Sequence, residues 1–278
     1  MSTVIGCNTF PLKEELSKDF EGTLRKLKDI GFDVIEPIIW AKKTQGNVPA
    51  SIWSKEYLHK AIKLFDEIDL GMQSAHVGVG FCGITLPIGS LKKNILEINN
   101  LTGIKSFVSS AVFSTKNGAV KYAKTMRRLA EELEPYGIEI LLHNHDDEFT
   151  KLKGEREKCA LDVYFENVGE NVGIELDVGW ASLGSGDEIK IAEKYADKIK
   201  ILHMKDFFES GKEKDRKSLA NSDFAPIGEG FVKSREIIEK RSEFQNFENY
   251  IVIDQDHSGG NIFDDLEKGI KNLKDYLK

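Results

Sequence analysis

Cysteine is scarce in this chain. Cys7, Cys82 and Cys159 stand far apart and none belongs to a Cys-x-x-Cys pair. That argues against a disulfide framework and against structural zinc held through cysteine, and it fits a reducing cytoplasm. No apolar run approaches the ~18 residues that a bilayer-spanning helix needs, so no membrane partner is expected. The first residues, Met1 to Gly6, lack a basic stretch followed by an apolar one, and no signal peptide is evident. A basic excess is missing too. Lys and Arg number 39 against 46 Asp and Glu, a net charge of -7, which argues against nucleic acid as a partner. Finally, no Gly-x-Gly-x-x-Gly opens a helix near the N-terminus, which weakens any dinucleotide-binding reading.

What is present is ordinary globular material: 278 residues, 40% hydrophobic and 31% charged. Length alone would suggest two domains at ~150 residues each, but α/β barrels of ~250 residues are the standing exception. One punctuation recurs along the chain, an amphipathic charged stretch, a glycine, then a short apolar run. It occurs at Gly31, Gly71, Gly103, Gly137 and Gly173. Glycine just past a helix supplies a left-handed cap, and the apolar run after it reads as a buried parallel strand.

Strands are therefore expected near 4–8, 33–36, 73–76, 106–109, 139–143, 173–177, 200–203 and 250–254, with helices between them. The clearest helices are 55–68, 118–134, 187–196 and 263–277. Val120, Ala123, Met126, Leu129, Ala130 and Leu133 recur at three- and four-residue steps, a core-facing stripe. Eight strand-helix units predict a single (β/α)8 TIM barrel over 1–278, in the α/β class, with a doubly wound open sheet as the alternative. The charged stretch from Glu209 to Gly230 reads as a solvated loop or, since it leaves the strand bearing His203, as a lid.

Several ionisable residues stand at the ends of those strands: Glu36, His76, His143, His145, Glu148, Asp177, His203, Asp254 and Asp256. In a parallel barrel these ends meet at one mouth. So many groups would repel or stay unpaired unless a cation organised them. A mixed carboxylate and imidazole set suits Mn, Mg, Zn or Co, with a coordination position open to a substrate oxygen. Each residue alone has a plainer explanation: Asp177 as a turn cap, and 145–148 as an acidic helix start. Together, Asp177, His203 and Asp254 on successive strands point to a shared metal.

The stretches Tyr136-Gly137, His143-Asn144-His145-Asp146-Asp147-Glu148-Phe149 and Leu176-Asp177-Val178-Gly179-Trp180 come first in an ordered set. Leu202-His203-Met204-Lys205-Asp206, Ile227-Gly228-Glu229-Gly230 and Ile253-Asp254-Gln255-Asp256 complete it. By this set the chain resembles the xylose isomerase-like TIM-barrel superfamily, the sugar phosphate isomerase and epimerase group. The resemblance implies a divalent metal held by residues after strands five to eight. Carried over by position, these are His143, Asp177, His203 and Asp254. His143 and Asp254 stand where that superfamily usually has Glu, so the strand-five ligand stays open between His143, His145 and Glu148. The His-Asn-His stretch is similar to a branch associated with sugar, inositol and keto-glycoside chemistry.

The implied reaction is proton removal beside a carbonyl of a keto- or hydroxy-sugar, giving isomerisation or epimerisation. A keto-inositol dehydratase or 3-keto-glycoside lyase would use the same site. Glu148, His145 and Asp254 are the candidate acid-base residues. Glu36, Trp40, His76 and Lys205 are the candidate substrate contacts, the substrate being a small sugar or cyclitol. Trp53 reads as packing. Rivals are a Schiff-base lyase using Lys205 or Lys105, a metal-dependent nuclease, and a non-catalytic sugar-binding barrel with a decayed metal site. Barrels of this kind often self-associate, so a homo-oligomer is a further expectation.

Overall fold

Short apolar runs that follow capped helices become parallel strands when helices cover one face and a shared interior the other. The computed structural model describes residues 3–39, 52–53, 55–78, 80–81, 84–85, 87–154 and 158–278. Its main sheet contains β1 (Val4–Asn8), β2 (34–39, as Val34–Glu36 and Ile38–Ile39), β3 (71–77, as Gly71–Met72 and Ser74–Val77) and β4 (Ser106–Ser110). It continues through β5 (Glu139–His143), β6 (Ile174–Asp177), β7 (Ile199–Met204) and β8 (Tyr250–Ile253). Each strand pairs in parallel with the next, and β8 pairs with β1. The ring is closed, so the fold is a (β/α)8 TIM barrel and not a doubly wound open sheet.

Two strands are broken for one residue each, β2 at Pro37 and β3 at Gln73. Proline has no N–H to give the ladder, but its carbonyl still accepts from the His76 amide at 2.9 Å. Pairing therefore resumes on the far side, and the ring does not open there.

The intervening helices include α1 (Lys13–Lys18), α2 (Phe20–Ile30), α3 (Lys55–Ile68), α4 (Ile88–Thr102), α5 (Lys116–Leu133) and α6 (Ala160–Val168). They continue with α7 (Val178–Ser185), α8 (Glu188–Lys194), α9 (Ser234–Glu239) and α10 (Ile262–Tyr276). In α5 the expected stripe faces the core: Ala123, Met126, Leu129, Ala130 and Leu133 are buried, with Val120 half-buried at its edge. Gly31, Gly103 and Gly137 do cap helices in the left-handed region. Gly71 and Gly173 do not. Asp69 takes the positive φ ahead of β3. At Gly173 the need is closeness, since a Cβ would lie 2.8 Å from the Lys198 carbonyl oxygen. Among the described residues no helix is long and apolar enough to cross a membrane.

Among the described residues two apolar bodies result. The larger lies between helices and sheet. The smaller plugs the barrel interior with Val108, Leu141, Ile201, Tyr250 and Val252, flanked by Val4 and Val34. Strand side chains alternate faces, so residues two further along those interior rows also point inward, toward the C-terminal mouth. There the apolar plug gives way to Glu36, His143, His203 and Asp254. The barrel thus holds an apolar floor beneath a layer of ionisable groups.

Candidate metal centre

Strand ends supply the site. Glu36 ends the first part of β2, His76 lies near the end of β3, and His143 ends β5. Asp177 ends β6, His203 is the penultimate residue of β7, and Asp254 follows β8. All are buried, none more than 7% exposed. The four residues expected as metal ligands, His143, Asp177, His203 and Asp254, converge: one donor atom of each lies within 4.8 Å of the others. His203 Nδ1 is 3.3 Å from Asp254 Oδ2 and 3.5 Å from Asp177 Oδ2, and His143 Nε2 is 3.9 Å from the same Asp177 oxygen. Separations of this size suit donors that surround one ion at ~2 Å.

Local structure holds each carboxylate. Asp177 caps α7, its Oδ1 accepting from the Trp180 amide at 2.7 Å. Its main chain exchanges two 3.0 Å hydrogen bonds with the Asn144 side chain, which ties the end of β6 to the end of β5. The Asp254 amide donates to the Met204 carbonyl, so the chain leaving β8 still runs along β7.

A second layer lies beside the first, and it contains a residue that the sequence reading missed. Glu175, wholly buried, accepts through Oε2 from His143 Nδ1 at 2.9 Å and His76 Nε2 at 3.0 Å. Its Oε1 has no hydrogen-bond partner. The signal was available: Glu175 and Asp177 are two apart on one strand and so share a face. Glu36 Oε2 meets Asn8 Nδ2, His76 Nε2 and His203 Nε2, each at 3.1 Å, while Oε1 accepts from Ser74 Oγ at 2.5 Å. His76, Glu175, His143 and His203 form a further four-residue group of closely spaced donors.

Lys205 is buried among carboxylates. Its Nζ is 2.5 Å from Asp254 Oδ2, 2.6 Å from Asp256 Oδ2 and 3.5 Å from Asp177 Oδ2, beneath the Trp180 ring. Burial works against its charge, but Asp254, Asp256 and Asp177 outweigh it and hold the ammonium above its ordinary range. Asp254 is held low, since Lys205 and His203 overcome its desolvation, whereas burial and the neighbouring Asp254 push Asp256 up to about 6. His76 is raised to about 10, Glu36 and Glu175 prevailing over burial. His143 is pushed well below its usual value by burial and by the facing His203 and His76 rings.

The remaining expected residues fall elsewhere in the site. His145 packs its ring against His143 and Trp180, and its buried Nδ1 has no partner. Burial, then Arg216 and Lys205, lower it to about 3, so it is a neutral imidazole. Glu148, expected as a base, has both oxygens taken by main-chain donors: Phe113 N at 2.8 Å and His145 N at 2.6 Å. Burial pushes it up to about 8 against the pull of those amides. Trp40 lies outside the described residues.

The charged stretch after β7 is not merely solvated. Asp206–Phe207 pairs with Phe224–Ala225 as an antiparallel hairpin. Its excursion reaches the segment that follows β5: the Arg216 amide donates to Asp146 Oδ2 at 2.9 Å, and its guanidinium meets Asp147 Oδ2 at 3.1 Å.

No curated protein matches the chain. Among solved structures, a sugar phosphate isomerase/epimerase from Parabacteroides distasonis superposes with a TM-score of 0.73 at 21% identity, covering 100% of this chain and 98% of that one. The IolI protein with a bound zinc atom gives 0.66 at 16% identity, covering 99% and 98%. The 3-keto-D-glucoside 4-epimerase of E. coli gives 0.66 at 15%, covering 99% and 100%. At these identities the likeness is one of fold. A family model matches residues 24–278, nearly the whole sequence, and the chain belongs to the xylose isomerase-like TIM barrel family.

Proposed function

We propose that this chain is a divalent-metal-dependent isomerase or epimerase that removes a proton beside the carbonyl of a keto- or hydroxy-sugar or a keto-cyclitol. The observation that carries this reading is the convergence of His143, Asp177, His203 and Asp254 at the mouth of the barrel. These residues fit a cation. Two imidazoles and two carboxylates suit Mn, Mg, Zn or Co, and the Asp254 oxygen that faces His203 Nδ1, at 3.3 Å, is Oδ2. Beyond the histidines, Lys205 is the only cation in contact with Asp177, Asp254 and Asp256 among the described residues. A bound divalent cation would polarise the substrate carbonyl and offset the negative charge that develops on its oxygen.

The chain's own groups would do the rest. Asp254 engages Lys205 and His203 through Oδ2 and leaves Oδ1 free, so we assign it the C–H proton. His145, neutral and with Nδ1 unpartnered, is the second proton-carrying group. In this reading Glu148 holds the His145 main chain in place instead of taking the proton itself. Lys205 would bind a substrate oxygen that gains negative charge. An ammonium clasped by carboxylates has no lone pair to attack a carbonyl, which disfavours the Schiff-base lyase.

Proton return to the neighbouring carbon gives isomerisation, and return to the opposite face gives epimerisation. Loss of a β-hydroxyl or glycosyl group gives a dehydratase or lyase from the same intermediate. The test is incubation of the metal-loaded chain with keto-sugars and keto-inositols in deuterated water. Exchange at the carbon beside the carbonyl is expected, and Asp254→Asn should abolish it. No exchange with any compound, with metal bound, would favour the non-catalytic sugar-binding barrel.

A further inference from the structure

The two histidines of the expected ligand set each use both ring nitrogens, and they use them in opposite senses. His143 turns Nδ1 to Glu175 Oε2 at 2.9 Å and Nε2 toward Asp177. His203 turns Nε2 to Glu36 Oε2 at 3.1 Å and Nδ1 toward Asp177 and Asp254. A neutral imidazole carries one N–H, and the nitrogen without it offers the lone pair. A carboxylate that takes the N–H therefore decides which nitrogen remains for a ligand.

We propose that Glu175 and Glu36 are positioning residues that fix these tautomers, so that His143 faces the cation with Nε2 and His203 with Nδ1. The proposal rests on the reading that a cation binds between His143, Asp177, His203 and Asp254. Both carboxylates are built to hold still. Glu36 is pinned by Ser74 Oγ and Asn8 Nδ2, and His76 Nε2 links it to Glu175. Both are wholly buried. Glu36, expected from the sequence to touch substrate, instead lies behind a histidine.

The competing arrangement puts a cation deeper, between His76, His143, Glu175 and His203. A cation there would claim the nitrogens that now face Glu175 and Glu36. The two arrangements thus predict opposite tautomers.

The test uses the full-length chain loaded with zinc and labelled with ¹⁵N-histidine. The expected spectrum has the N–H of His143 on Nδ1 and that of His203 on Nε2. Zinc affinity, measured by chelator competition, should fall about 10- to 100-fold in Glu175→Gln and in Glu36→Gln. In Glu175→Gln the His143 signature should change while that of His203 persists. Zinc-bound Nδ1 on His143, or both variants folded with wild-type affinity, would overturn the proposal while leaving a metal centre in place. A wild-type chain that takes up no zinc would overturn the metal reading itself and this proposal with it. The wild-type spectrum needs no variant, so a misfolded Glu175→Gln does not block the test.

Discussion

Lys205 Nζ lies 2.5 Å from Asp254 Oδ2, and the same ammonium approaches Asp177 and Asp256. A buried lysine thus serves as a resident counter-ion for two carboxylates that are also the proposed metal ligands. Removing one partner of a buried ionic cluster strands the others, at a cost of about 3–5 kcal/mol. Lys205→Met should lose stability on that scale in metal-free denaturant titrations. Added manganese should recover more stability in this variant than in the wild type, because it replaces a missing positive charge. Equal metal-induced stabilisation in both proteins would contradict the shared-carboxylate picture.

The Arg216 contacts with Asp146 and Asp147 are partly solvated, with the arginine side chain 30% exposed, so their worth to global stability is small. Their effect should be local. Arg216→Ala is expected to leave the melting temperature within a few degrees of wild type. It should also speed proteolytic cleavage within 209–223 and raise KM more than it lowers kcat. Unchanged cleavage would mean that the excursion is held by the Phe207–Phe224 hairpin alone.

At the opposite end of the barrel, Glu139 and Glu248 share Lys200. Burial and the neighbouring Glu139 raise the Glu248 carboxyl to about 7. A carboxyl whose folded-state value is raised keeps a proton that the unfolded chain releases. Its contribution to stability is present below the ordinary carboxylate value and is lost as pH rises through about 7. Glu248→Gln should therefore gain stability relative to wild type across that window, and the two should converge in acid. Parallel pH profiles in urea unfolding would sink this assignment.

Much of the barrel was legible because strands, caps and helix stripes are local matters. Glycines at 31, 103 and 137 mark helix ends through backbone geometry alone. Gly173 was read as a cap for want of its real reason, the Lys198 carbonyl just ahead of β7, which sequence does not bring near. The convergence of His143, Asp177, His203 and Asp254 was readable because strand ends of a parallel barrel must meet. Glu175 escaped because it lies inside an apolar run where only the period-two relation to Asp177 betrays it. That both Glu148 oxygens accept from the main chain was not legible, because one donor stands 35 residues away and main-chain amides leave no mark on any pattern of side chains.

The most direct test of the account is metal stoichiometry on the purified chain, by titration with manganese or zinc. One cation per chain is expected for the wild type, falling to none at comparable concentrations in Asp177→Ala and in His203→Ala with the fold intact. Full binding in both variants would contradict a centre built on Asp177 and His203.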